Sequence, residues 1–153
     1  IKELPSNNNS PSYIPYNDRF IMGGNGIPYG NVLRGYDDNR VGPLTSTGNP
    51  IGGNTLVKFS TEFRVPFAEN PVVYGMIFAE MGNVWSSTDL MEQLSLPRSG
   101  PLDLKRSVGV GVRFFMPMIG MLGFDFARGF DRVDINGKLK PEWKTTLTFG
   151  QQF

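Results

Sequence analysis

Residues 55–67 alternate in character without a break. Thr55, Val57, Phe59, Thr61, Phe63, Val65 and Phe67 fall on one side of an extended chain, and Leu56, Lys58, Ser60, Glu62 and Arg64 on the other. Successive side chains of a strand point to opposite faces, so a period of two is the mark of a strand with one apolar and one polar face. A helix would scatter the same aromatic residues around its circumference. The apolar row needs either a second protein layer or lipid, and the charged row needs water or partners of opposite sign.

The same pattern returns down the chain. Glu69-Asn70-Pro71 reads as a tight turn into a second strand over about 72–85, in which Gly75 and Ala79 blur the alternation but Glu80 still demands a polar face. A polar linker near 86–105 follows. The third strand, about 106–116, sets Val108, Val110, Val112, Phe114 and Met116 against Ser107, Gly109, Gly111 and Arg113. After a short turn at 117–120, a fourth over about 121–130 sets Leu122, Phe124, Phe126 and Phe130 against Gly123, Asp125, Ala127 and Gly129. A loop at 131–141 leads to a last strand with Trp143, Thr145, Leu147, Phe149 and Phe153 on one side and Lys144, Thr146, Thr148, Gly150 and Gln152 on the other. Short turns alternating with long loops, and an aromatic residue ending an amphipathic strand, fit an outer-membrane barrel, because a sheet in lipid must satisfy its hydrogen bonds by closing on itself. A half-buried strand of a soluble antiparallel sheet alternates in the same way, so alternation alone leaves a sandwich open.

Composition narrows the chemistry. The chain has no His and no Cys, which removes imidazole bases, thiol nucleophiles, disulfides and the usual zinc ligands, and no cofactor is implied. Fifteen basic and 14 acidic residues give a net charge of +1 with no basic block, so nucleic acid is not an expected partner. No apolar run approaches the ~20 residues of a membrane helix, which leaves strands of ~9–11 residues free to cross. Residues 1–53, dense in Gly, Pro, Asn and Ser, read as a long loop region carrying Val32 to Tyr36 in its middle, and loops beyond ~12–15 residues are usually functional or disordered. Five strands fall short of the ~8 of the smallest membrane barrel, so the expectation is a processed or excised piece of a larger one.

Several motifs stand in a recognisable order: Gly23-Gly24; Leu33-Arg34-Gly35-Tyr36 running on to Pro43; Gly52-Gly53-Asn54 with Glu62-Phe63-Arg64-Val65-Pro66; Phe78-Ala79-Glu80-Met81-Gly82-Asn83-Val84-Trp85; Arg106 to Gly111; and Gly150-Gln151-Gln152-Phe153. Together they resemble the C-terminal barrel region of the BamA family, the outer-membrane assembly factors and bacterial surface antigens. The resemblance covers nearly the whole chain. Glu80 stands where that family often has Asp, and the loop between Val41 and Gly52 is short. The resemblance implies an all-β, antiparallel transmembrane barrel of about 16 strands, of which this chain supplies the last five and the long inward-folding loop. It also implies a bacterial outer-membrane location, no enzymatic turnover, and folding and insertion of client barrel proteins. The implied partners are outer-membrane lipid, unfolded clients, assembly-machinery lipoproteins and the remainder of the same barrel, with periplasmic domains preceding this chain.

If the loop tip tucks into the lumen, Arg34 needs anionic partners, since an unpaired guanidinium in a narrow interior costs several kcal/mol. Glu62 and Glu80 share the lumen-facing parity, so Arg34 is expected to bridge them, with Gly35 turning the backbone and Tyr36 packing on the wall near Phe78. Asp37 and Asp38 read as solvated turn residues. Leu147, Phe149, Gly150 and Phe153 would form the terminal strand at the seam with the first strand, Gly150 acting as a kink and the open edge templating incoming strands. A protein-exporting pore of the two-partner-secretion type and a self-contained porin or adhesin barrel remain alternatives. A soluble sandwich enzyme is disfavoured by the lack of any paired acid-base constellation. With two uncovered edges and a lipid-facing surface, the isolated piece is not expected to fold stably as a monomer.

Overall fold

The computed structural model describes residues 14–26, 30–86, 100, 102–118, 120–133 and 138–149. Five strands form one antiparallel sheet in chain order: β1 (Thr55–Glu69), β2 (Val72–Trp85), β3 (Lys105–Met116), β4 (Gly120–Gly129) and β5 (Trp143–Phe149). A short 3-10 turn at Tyr16–Asp18 is the only helical element among the described residues. β1 outruns its expected end, and Asn70-Pro71 alone make the turn. Pro66, which has no N–H to give a ladder, lies at the register shift between Pro66 and Ala68, where β1 tolerates it. Gly150, Gln152 and Phe153 lie outside the described residues, so β5 is described only as far as Phe149.

The two faces differ as the alternation predicts. Phe63 (67 % exposed), Ile77 (62 %), Val110 (50 %) and Phe149 (63 %) share the outer face with Phe59, Val112, Phe124, Phe126 and Leu147. Phe126 stacks on Trp143 across β4 and β5 at 4.6 Å between ring centroids. An apolar surface spread over all five strands is far beyond what a water-facing monomer carries, and it suits hydrocarbon. The inner face carries Lys58, Ser60, Glu62, Tyr74, Met76, Phe78, Glu80, Ser107, Arg113, Asp125 and Thr146.

The core lies between this inner face and the long loop. The loop is held by isolated bridges, Phe20 to Gly53, Met22 to both Asn31 and Val41, Gly24 to Leu33, and Leu44 to Pro50. These contacts bring Met22, Leu33, Tyr36 and Val41 together with Val84 of β2, and Leu56 packs against them. The described part of the segment that sequence presents as irregular is thus ordered by tertiary contacts, with Met22, Leu33, Tyr36 and Val41 turned to the wall and Tyr16 and Phe20 exposed. The second cluster, Met76, Phe78 and Ala127 with Tyr74, lies on the inner face of β2 and β4.

Candidate functional site: the docked loop tip

Gly35 turns the chain at φ +86°, and a Cβ there would stand 2.9 Å from the Gly129 nitrogen and 3.0 Å from the Arg128 carbonyl carbon. Only glycine combines that left-handed conformation with so close an approach to β4. The tight turn aims the preceding residue, Arg34, at β1 and β2.

Arg34 is 5 % exposed and its hydrogen-bonding capacity is nearly filled. Nη2 donates to Glu62 Oε1 and to Glu80 Oε1, each at 2.6 Å, Nε donates to Glu80 Oε1 at 3.1 Å, and the Arg34 backbone N–H donates to Glu80 Oε2 at 2.9 Å. Both carboxylate oxygens of Glu80 therefore accept hydrogen bonds from one loop residue. The guanidinium lies 3.6 Å from the centre of the Phe78 ring, a cation-π contact within a desolvated site. Burial alone would lower the Arg34 pKa, but Glu80, then Glu62 and Asp125, outweigh it and the group is held above its ordinary value.

Further charges extend the clamp into a network. Arg64 chelates Glu62 Oε2 at 2.7 and 3.0 Å, Lys58 Nζ lies 3.5 Å from Glu80 Oε1, and the Ser60 hydroxyl donates to the same oxygen at 3.2 Å. Arg113 of β3 donates to both oxygens of Asp125 in β4, at 2.8 and 2.7 Å, and Arg34 Nη1 lies 3.9 Å from Asp125. Four cations thus face three carboxylates, and no carboxylate in the group lacks a cation within 4 Å. Beneath the tip they line a cleft of about 770 Å³.

Tyr36 takes a different place from the one expected. The ring of Phe78 is covered by Arg34, while Tyr36 packs into the cluster of Met22, Leu33, Val41 and Val84 and lies over Gly129. Its hydroxyl donates to the Arg106 carbonyl at 2.8 Å and accepts from the Asp131 N–H at 3.3 Å. Burial pushes the phenol well above its ordinary pKa, against the smaller opposing effect of the backbone N–H. The charges account for the displacement, since the guanidinium takes the place over the Phe78 ring. The turn at Gly35 sends Arg34 and Tyr36 to opposite sides, and Arg34 follows the carboxylates.

Asp37 is not the solvated turn residue that sequence suggests, whereas Asp38 is an exposed turn residue as expected. Asp37 accepts from Lys144 Nζ at 2.6 Å and from Arg132 Nε and Nη2 at 3.0 and 3.1 Å, which ties the loop to β5 and to the β4–β5 connection. Its partial burial works to raise its pKa, but Lys144 and Arg132 prevail and hold it below the usual carboxylate range. Asp38 Oδ1 accepts the backbone N–H of Asn25 at 2.8 Å. The inward parity of Arg113 and Asp125 is readable from the alternation, but their pairing requires the register that sets Gly111 opposite Asp125 and Arg113 opposite Gly123.

The model of the Omp85 superfamily domain matches residues 5–153. The chain belongs to the Omp85 superfamily. Members of the Omp85 superfamily are outer-membrane factors for protein insertion or translocation that work on client proteins and are not known for enzymatic turnover. The five-stranded antiparallel sheet with its apolar outer face and docked inner loop fits a stretch of such a barrel wall. Of the residues expected at a seam, Leu147 and Phe149 stand on the outer face of β5, away from the clamp, while Gly150 and Phe153 lie outside the described residues.

Proposed function

We propose that this chain is the C-terminal part of a BamA-like assembly factor, a barrel of about 16 strands that folds and inserts outer-membrane barrel proteins at the seam between its first and last strands. The observation that carries the reading is the loop tip fixed to the wall by Arg34 between Glu62 and Glu80. A plain porin wall has no need of a buried three-residue ion cluster on an inward loop. A machine whose seam must open has such a need, because a tip tied to β1 and β2 braces the wall away from the seam while the edge is unpaired. Leu33, Arg34, Gly35 and Tyr36 act as the anchor, Glu62, Glu80 and Phe78 as its seat, and β5 as the strand whose backbone templates an incoming one. Lipid, unfolded clients, periplasmic lipoproteins and the rest of the barrel are the partners.

The test is reconstitution of the full-length protein in liposomes with a urea-unfolded client barrel. Faster client folding than in empty liposomes, reduced by Arg34→Ala, is the expected result. Export of a cognate soluble partner with no effect on client folding would replace assembly by secretion. An inert barrel would refute both.

A further inference from the structure

The inner loop reaches the outermost edge of the sheet. Asn25 Nδ2 donates to the Leu147 carbonyl at 3.1 Å. Which side of β5 that carbonyl faces follows from the hydrogen-bond pattern. Phe130 N–H donates to Arg106 O at 2.9 Å, so in the unbroken register of β3 and β4 the even-numbered residues of β4 turn their backbone groups to β3. Backbone direction alternates along an antiparallel strand, so Gly123, Asp125 and Ala127 turn theirs to β5, where they stand opposite Thr148, Thr146 and Lys144. Trp143, Thr145, Leu147 and Phe149 consequently direct N–H and C=O away from β4, to the side on which no other described strand pairs.

We infer that Asn25 caps β5 at Leu147, on the edge that faces away from β4, and that a client strand adding to this edge must displace it. The inference rests on the reading of β5 as the strand that receives clients. The cap is held in place at both ends of a short path. Asp38 fixes the Asn25 backbone N–H at 2.8 Å, and the neighbouring Asp37 grips Lys144 on the inner face of the same strand at 2.6 Å. An amide side chain offers the same N–H donor that a backbone amide offers, so Asn25 occupies one acceptor that an added strand would use. The loop thereby reports on the edge: pairing at Leu147 and release of Asn25 are one event. The occupant is an extended client segment, recognised by backbone N–H donors spaced two residues apart and not by its side chains.

The full-length protein in outer membranes, carrying a photoreactive residue at Leu147 or, as reference, at Trp143, is loaded with an arrested client. The adduct ratio of position 147 to position 143 is the readout. Loss of one net hydrogen bond corresponds to a rise of roughly 2- to 10-fold in Asn25→Ala. Asp38→Ala moves the ratio the same way, and heat-modifiable gel mobility checks that each variant is folded. An unchanged ratio in both folded variants, with client adducts still forming, overturns the cap and leaves the seam standing. Absence of client adducts at both positions in every background, or adducts only within the same chain, overturns the seam and the cap with it.

Discussion

Neutralising Glu80 tests the clamp most directly. In Glu80→Gln the side chain keeps its shape but loses its charge, and one of its oxygens becomes an amide that cannot accept from Arg34. Glu80 receives three hydrogen bonds from Arg34, one from Ser60 and the charge of Lys58 at 3.5 Å. Arg34, 5 % exposed, would be left with Glu62 at 2.6 Å and Asp125 at 3.9 Å. Removing one partner of a buried ion pair costs roughly 3–5 kcal/mol. Because Glu62 still neutralises the guanidinium, the lower end, about 3 kcal/mol, is the expected loss. Arg34→Met alone should cost a similar amount by leaving the buried Glu80 with only Lys58 at 3.5 Å and the Ser60 hydroxyl. The double variant places two neutral side chains in the seat, so its loss should fall short of the sum by about 1.5–3 kcal/mol, a coupling within the range for residues in one network. Urea titration of the full-length barrel, followed by heat-modifiable mobility, measures all three. A single-variant cost below about 1 kcal/mol, or a coupling below about 0.5 kcal/mol, the usual limit for independent sites, would refute the argument that the tip is held by this pair.

Other predictions follow from the same geometry. Gly35→Ala, which must adopt φ +86° and meet β4 at 2.9 Å, should cost at least about 1–3 kcal/mol by the same titration; a cost within error would mean that the turn has another conformation. Arg106 holds Asp131 below the usual carboxylate range, and Lys144 and Arg132 do the same for Asp37. A depressed folded-state pKa gives stability that is present above the unfolded value, near 3.9, and lost as pH falls through the folded one, so protection of loop amides from exchange should be flat from about pH 7 to 5 and drop below about pH 4. Loss already at pH 6 would contradict the assignment. Phe63→Lys, mid-strand on the outer face, should destabilise the barrel by roughly 2–4 kcal/mol, and Phe67→Lys, near the Asn70-Pro71 turn, by about 1 or less. Equal costs at the two positions would argue against a lipid-facing surface.

The strands were legible because each carries its period of two in chemically opposite residues. Val108 to Arg113 could be nothing else; β3 begins one residue before its expected bound, and β4 is displaced by one residue at both ends. Glu62 and Glu80 could be placed on the inner face for the same reason, and a buried Arg34 demanded carboxylates. The loop was opaque. Its bridges join residues as far apart as Phe20 and Gly53, and nothing local in a stretch rich in Gly, Asn and Pro encodes such pairings. Asp37 shows the limit well, since its partners Arg132 and Lys144 become neighbours only when the loop crosses the inner face of β4 and β5. Tyr36 shows another, because its side of the tip is decided by the sign of one glycine torsion.

The glycines of the inner face give the wall a negative relief. A Cβ at Gly109 would strike the Phe78 ring, one at Gly111 the Asp125 carboxylate, and one at Gly129 the Gly35 carbonyl and the Tyr36 ring. The wall over β3 and β4 was therefore thinned where the tip and its seat lie, leaving backbone already paired along the sheet and offering nothing to fill the space. The recess is matched to the loop at single-atom scale: the Gly35 backbone and the Tyr36 ring occupy the space that a side chain at Gly129 would take, and the Phe78 ring occupies that of one at Gly109. Any larger residue at these positions would have to lift the tip or its seat from the wall, so the docking of the loop is written into the sheet as much as into the loop.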